Sequence, residues 1–182
     1  MNLAWVGKMS DLEKLADIVD EMILQQDYPG FEPRSLKLGL PEVVENMNGR
    51  VFSHALGHES VYVKLAALRW FQDRPGIAKG YLNAVLGLID NKDEWVRLES
   101  IRLTERIPRV PDSAAVKISK HLSDESKLVR KAASKALGKI LKRSVTKDAA
   151  VIDALKTAAQ DDDVEVRFKA QKALRQIGEF VV

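Results

Sequence analysis

The most regular feature of the chain is a hydrophobic stripe that recurs four times. Each copy begins at a valine followed by a basic residue, and the four valines are Val63, Val96, Val129 and Val166. Successive valines are separated by 33, 33 and 37 residues. Small or apolar residues follow four and seven positions after each valine, which is the spacing of one helix face. The pattern therefore predicts four equivalent helices.

Each predicted helix has a start signal three positions before its valine. The residues there are good N-caps, whose side chains accept hydrogen bonds from the first turn: Ser60, Asp93, Ser126 and Asp163. A second set of apolar patterns predicts a helix before each cap, over residues 41–55, 77–89, 111–122 and 146–159. In the third of these, Pro111 stands at the expected first-turn position. The unit is thus a first helix, a tight turn and a second helix, repeated four times.

An additional helix is predicted before the first unit. Ser10 is its N-cap, Glu13 completes a capping box, and a loop rich in glycine and proline follows near Pro29. A helix at this position would cover the open end of a repeat array. We expect a capping helix and loop over residues 1–40 and an array over 41–182, with repeats at 41–76, 77–110, 111–143 and 146–182. Such an arrangement is an all-α superhelix.

The residues around the later valines resemble a known repeat. Asp124 and Asp161 stand five positions before Val129-Arg130 and Val166-Arg167, and alanine-rich helices follow. This pattern resembles HEAT repeats, particularly the short phycobilisome-lyase-like type, over about residues 41–179. The resemblance implies a right-handed α-α superhelix whose second helices line the concave face. It also implies a structural turn ladder made of Asp124, Arg130, Asp161 and Arg167.

The helix period predicts which side chains of the second helices face that groove. Two and six positions after each valine, residues point away from the core stripe. This gives a candidate partner-binding surface of Leu65, Arg69, Leu98, Arg102, Lys131, Lys135, Phe168 and Lys172. The apolar members mark contact sites if they are exposed. Equally, they could pack between adjacent helices.

A basic stripe gives a second, different hypothesis. One face of the second helix in the third repeat carries four lysines: Lys131, Lys135, Lys139 and Lys142. Such a stripe could bind a phosphate backbone, although no aromatic residues are interleaved with it to stack on bases. Because a solvated helix face is the commoner explanation, nucleic-acid binding ranks below protein binding.

The sequence offers no convincing catalytic or metal site. It contains no cysteine, which excludes disulfides and thiolate chemistry. His54 and His58 have the spacing of a helical metal pair, but Gly57 between them is expected to end the helix. We therefore expect no metal and no cofactor. Because the family resemblance includes bilin lyases, bilin attachment or removal is an alternative function that no particular residue supports.

The net charge is +3, which is compatible with an anionic partner. No apolar run is long enough to cross a bilayer, so we expect a cytoplasmic protein that does not bind membranes. The leading hypothesis is a non-catalytic scaffold whose concave face binds another protein through an acidic segment.

Overall fold

The computed structural model describes residues 10–24, 47–144 and 146–179 of the chain. Within these ranges the regular structure is entirely helical. The α-helices are α1 (Asp11–Leu24), α2 (Gly49–Ala55), α3 (Val61–Gln72), α4 (Pro75–Ala78), α5 (Leu82–Gly87), α6 (Glu94–Arg106), α7 (Asp112–Ser119), α8 (Lys127–Arg143), α9 (Ala149–Ala158) and α10 (Val164–Gln176). Short 3-10 turns occupy Lys79–Tyr81, Leu88–Asp90 and Lys120–Ser123.

The helices form two layers. The second helices α3, α6, α8 and α10 pack directly against one another in chain order. The first helices α2, α5, α7 and α9 each pack on their own second helix and touch one another much less. The second helices therefore form one continuous layer, which is the layer expected on the inner, concave side of a helical-repeat array. The predicted all-α solenoid of helix pairs is confirmed.

The core stripe lies where the sequence places it. All four stripe valines are fully buried, and so are the small residues four positions after them. In the first copy Trp70 stacks on Phe52 with ring centroids 4.2 Å apart. The stripe ends there because α3 ends at Gln72, and the Arg74 side chain at the next stripe position lies over the Trp70 ring, 4.5 Å from its centroid.

Helix α1 contacts α2 and α3 and buries Leu15 and Val19 completely. Its predicted capping box is confirmed. The Ser10 N–H donates to Glu13 Oε2 at 2.6 Å, and the Glu13 N–H donates to Ser10 Oγ at 3.3 Å. Hydrogen bonds from the Ser10 backbone and side chain hold the pKa of Glu13 below its ordinary value.

All four predicted N-caps occupy the cap position, but only two use their side chains there. Asp93 accepts from the N–H groups of Trp95 and Val96, and Asp163 does the same for the last helix. Ser60 and Ser126 make no side-chain cap bond. The helix starts are therefore correctly predicted, while the two serines leave the first-turn N–H groups without a side-chain partner.

The first helices are shorter or more broken than predicted. The predicted helix 77–89 begins at Pro75 and is divided into α4, α5 and two 3-10 turns. Pro111 is the N-cap residue of α7 and not part of its first turn. Helix α9 begins after Asp148, whose carboxylate caps it, and not at Thr146. Residues 41–46 of the first predicted helix lie outside the described residues.

Two glycines near the ends of second helices have different roles. A Cβ added to Gly138 would lie 2.8 Å from both Cα and Cβ of Ala173, so this glycine permits close packing of α8 and α10. At Gly178 no atom lies within 4 Å of the corresponding Cβ position. Gly178 has φ +82° and ends α10 instead. The Glu179 N–H donates to Leu174 O at 3.0 Å, which is the bond of a Schellman C-cap.

Candidate interaction surface on the second helices

The turn ladder predicted from the resemblance links neighbouring repeats. Arg130 binds both carboxylate oxygens of Asp161, at 2.8 and 3.1 Å. The Arg130 guanidinium also donates to two carbonyls of its own turn, those of Asp124 and Glu125. Arg130 therefore closes its own turn through backbone carbonyls and reaches the aspartate of the next repeat. Arg167 donates to two carbonyls of its turn in the same way.

Arg97 belongs to the same ladder. It donates to Asp124 through Nε and Nη2, both at 2.9 Å, and is only 6% exposed. Burial raises the pKa of Asp124, but hydrogen bonds from Arg97, His121 and the Ser126 N–H outweigh it, so that the pKa lies below its ordinary value. The ladder is a structural device, because its charges are paired and partly buried.

The ladder is incomplete at the N-terminal side. Asn91 and His58 stand at the aspartate positions, and each accepts a backbone N–H two residues ahead, as Asp124 does. Within the described residues neither side chain bonds to a ladder cation, although the Asn91 carbonyl accepts from Arg97 of its own turn at 3.0 Å. Among the residues that the structure describes, the Lys64 ammonium donates to Glu59 O alone, at 3.2 Å. These two turns therefore keep the same backbone hydrogen bond, but their residues at the aspartate position form no bridge between repeats in the described part of the chain.

Two of the predicted partner-binding residues are unavailable to a partner. Leu65 is 3% exposed and Leu98 is 1% exposed. Leu98 belongs to the core cluster formed mainly by residues of the third and fourth pairs, and Ile101 on α6 belongs to it too. These side chains fill the seam between adjacent second helices. The prediction that Leu65 and Leu98 face the groove is therefore wrong, because each second helix has a second buried face against the next repeat.

The same position is open in the last pair. Phe168, which corresponds to Leu65 and Leu98, is 52% exposed. Val164, one turn earlier on α10, is also exposed. No described second helix follows α10, so nothing in the described residues covers this edge. The two side chains form an apolar patch at the end of the array.

The basic row six positions after each valine reaches the surface in every copy. Arg69 and Arg102 are half-buried, while Lys135 and Lys172 are exposed. Arg102 binds Glu99 on its own helix at 2.6 Å. Neither Arg69 nor Lys172 forms an ion pair with another described residue, so these two cations are free to meet a ligand.

The basic stripe of α8 is largely neutralised. Lys131 pairs with Glu165 of α10 at 2.9 Å. Lys135 and Lys139 both contact Oε1 of Glu105, at 3.1 and 2.5 Å, and Glu105 is only 4% exposed. Of the four predicted stripe residues, Lys142 alone lacks an acidic partner in the described residues. A continuous row of unpaired cations, which a phosphate backbone requires, is therefore not formed.

Four lysines from two helices instead converge on one small cavity. Lys135 and Lys139 of α8 and Lys169 and Lys172 of α10 line a space of about 70 Å³ together with Ala173 and Gln176. We call this site the lysine pocket. Sequence reasoning missed Lys169 because it followed stripes along single helices, whereas the pocket forms between helices whose close approach depends on Gly138.

The histidines have structural roles or lie on the surface. His58 accepts the Ser60 N–H, and His54 is exposed. His121 bridges Asp124 and Asp90, with 3.0 Å contacts from its two ring nitrogens. Within residues 10–24, 47–144 and 146–179 no group of acidic or histidine side chains could hold a metal ion. No described helix combines the length and apolarity that a membrane span needs.

Comparison with known sequences and folds agrees with this geometry. Residues 115–180 match the family described as HEAT repeats. No curated protein sequence matches the chain. Helical-repeat solenoids of this kind typically bind other proteins or peptides and are typically non-enzymatic.

Solved structures with a similar fold include three of note. An engineered protein is 20% identical with a TM-score of 0.61, over 93% of this chain and 80% of that one. A designed armadillo repeat protein in complex with the peptide (KR)4 is 19% identical with a TM-score of 0.55, over 91% of each chain. An archaeal HEAT-like repeats protein from Thermococcus onnurineus NA1 is 17% identical with a TM-score of 0.53, over 97% of this chain and 69% of that one. At these identities the likeness shows the fold alone.

Proposed function

We propose that the chain is a non-catalytic scaffold whose concave surface binds a partner protein through an acidic segment. The observation that carries the proposal is the basic row of the second helices. Arg69, Arg102, Lys135 and Lys172 recur at one repeat position and all reach the surface of the inner layer. Cations in register on a concave surface attract an extended anionic segment and fix its position along the array.

The sign of the charge distinguishes this surface from that of the designed armadillo relative, which holds the basic peptide (KR)4. Under this proposal both folds bind an extended peptide on their inner layer of helices. Here the row is basic, so an acidic segment is complementary. Phe168 supplies exposed apolar area at one end of the row, where a side chain of the partner can be buried.

Fluorescence anisotropy with labelled peptides tests this proposal. A short peptide of alternating aspartate and glutamate should bind, and a lysine–arginine peptide of the same length should not. The double variant Arg69→Glu and Arg102→Glu should weaken binding of the acidic peptide by at least about tenfold at low salt, because two attractive contacts become repulsive. The matched control, Lys92→Glu with Lys120→Glu, makes the same charge change at exposed positions outside the second helices.

Two outcomes contradict the proposal. One is equal binding of the acidic and basic peptides, and the other is equal weakening by the two double variants, which would indicate net charge without a defined surface. Circular dichroism of each variant checks that helicity is retained.

The proposal includes the division of the chain into a capping segment, 1–40, and a repeat array, 41–182. It does not include the bilin chemistry implied by the phycobilisome-lyase-like resemblance, since no residue of the described chain favours it. Incubating the protein with a bilin-bearing protein and recording the absorbance spectrum tests that alternative, which predicts a change of the bilin band.

A further inference from the structure

The lysine pocket has a large excess of positive charge. Four lysines line the cavity, and Glu105 is the one described carboxylate in contact with any of their ammonium groups. Lys172 has no ion pair in the described residues, and the Lys169 ammonium lies 5.5 Å from the centroid of the Phe168 ring. The local charge is therefore about +3, counted from four lysines and one glutamate. Like charges this close repel, so an anion bound among them stabilises the site.

The pocket is also organised before any ligand arrives. The buried carboxylate of Glu105 holds the ammonium groups of Lys135 and Lys139 through a single oxygen. Each ammonium has three N–H donors and uses one on Glu105, so the others can point into the cavity. The backbones of α8 and α10 approach closely at Gly138 and Ala173, which brings the lysines of the two helices to one point.

From this geometry we propose that the lysine pocket binds a phosphate monoester on a segment of the partner protein, a phosphoserine or a phosphothreonine. The inference rests on the proposed scaffold function and specifies what the concave surface recognises. A phosphate monoester carries a charge of about −1.5 to −2 at neutral pH and three strong acceptor oxygens. It therefore matches several converging ammonium groups better than a carboxylate, which has one charge and two oxygens.

The size of the site favours a single oxyanion. A cavity of about 70 Å³ is comparable to the volume of about two water molecules in the liquid. A nucleic-acid backbone would need several further unpaired cations in line with the pocket, whereas on α8 Lys131 is bound to Glu165 and only Lys142 lacks an acidic partner among the described residues. The exposed apolar patch of Phe168 and Val164 adjoins Lys169 and Lys172 on α10. A peptide can use this patch beside its phosphate, and a free phosphate ion cannot.

Titrations followed by NMR of the lysine Cε–Hε signals test the proposal. The main probe is N-acetyl-O-phosphoserine N-methylamide. The comparison probes are N-acetylglutamate N-methylamide, inorganic phosphate and a short DNA duplex. We expect the phosphoserine probe to shift the signals of Lys135, Lys139, Lys169 and Lys172 saturably. It should bind at least about tenfold more tightly than the glutamate probe.

A matched pair of variants locates the site. Lys169→Gln with Lys172→Gln should weaken phosphoserine binding by about tenfold or more. Lys120→Gln with Lys142→Gln removes the same charge at exposed positions that do not line the cavity, and should change affinity by less than about twofold.

Each alternative result overturns the inference. Equal affinity for the phosphoserine and glutamate probes would make the pocket a general carboxylate site. Tighter binding of the duplex, with shifts that extend to Lys131 and Lys142, would assign the surface to nucleic acid. The absence of saturable shifts at the four lysines would mean that the pocket binds no oxyanion.

The failures of the two proposals can be told apart. If the acidic peptide binds and depends on Arg69 and Arg102 while the phosphoserine probe does not bind, only the phosphate inference fails. If the probe shifts the four pocket lysines while Arg69→Glu with Arg102→Glu leaves peptide binding unchanged, the concave-surface proposal fails.

Discussion

The contact between α8 and α10 at Gly138 allows a stability change to be worked out in advance. In Gly138→Ala the new methyl group would lie 2.8 Å from Cα and Cβ of Ala173 and from Oε1 of Gln176. The Gln176 side chain can rotate away, but the Ala173 backbone atom cannot move without shifting α10. Overpacking of this kind costs about 1–3 kcal/mol.

The same substitution has a favourable part. Alanine stabilises a helix interior by about 1 kcal/mol relative to glycine. The new methyl group would contact a backbone atom, Ala173 Cα, so we place the overpacking cost in the upper part of its range. We expect a net loss of about 1–2 kcal/mol in the free energy of unfolding. Urea denaturation followed by circular dichroism measures this change.

Gly87 provides the matched control. It is the last residue of the helix α5, and a Cβ added there would meet no atom within 4 Å. Gly87→Ala should therefore leave stability unchanged or raise it by up to about 1 kcal/mol. Gly138→Ala proving as stable as the wild type, or more stable, would refute the packing argument, and with it the reason given for the convergence of the four lysines.

Three further predictions concern the ladder and the core. Asp124→Ala should lower the free energy of unfolding by about 3 kcal/mol in urea denaturation, because it leaves the buried Arg97 with the exposed Glu125 as its one remaining acidic partner among the described residues. The exposed ion pair between Asp153 and Lys156 provides the control, since Asp153→Ala should lower the free energy of unfolding by less than about 1 kcal/mol. Val129→Asp should cost more than about 4 kcal/mol, because it places a charge in the fully buried core, and an unchanged thermal melting curve would contradict this. Burial raises the pKa of Asp161, but hydrogen bonds, chiefly from Arg130, lower it by more, so the pKa in the folded protein lies below its ordinary value. The ionised Asp161 carboxylate therefore stabilises the fold above about pH 4, and this stabilisation is lost as the pH falls through the folded-state pKa. The stability difference between wild type and Asp161→Asn should therefore shrink in urea titrations from pH 7 down to about pH 3, and a constant difference would count against the ladder.

Local patterns in the sequence predicted the helix pairs well. The stripe valines and the caps at Asp93 and Asp163 depend on residues within one or two helical turns, so the helix period and the chemistry of free N–H groups determine them. Breaks in the first helices were not foreseen. The 3-10 turns around α5 preserve the apolar spacing closely enough that a continuous helix was the simpler prediction.

Features formed between helices were predicted less well. A single-helix projection places Leu98 opposite the core, and only the neighbouring helix α8 shows that this side is also buried. A signal existed in the sequence, since Ile101 three residues later forms a second apolar stripe with Leu98. The pocket lysines had a weaker signal, because Lys135 and Lys172 occupy equivalent repeat positions and Lys169 does not.

The uneven turn ladder has a consequence for how the array comes apart. The bidentate bridges join the second pair to the third through Arg97, and the third to the fourth through Arg130. Lys64 forms no such bridge between the first pair and the second. Cooperativity between neighbouring units should accordingly be weakest at that junction, so mechanical extension or partial denaturation would release the N-terminal pair first while the other three pairs still unfold as a block.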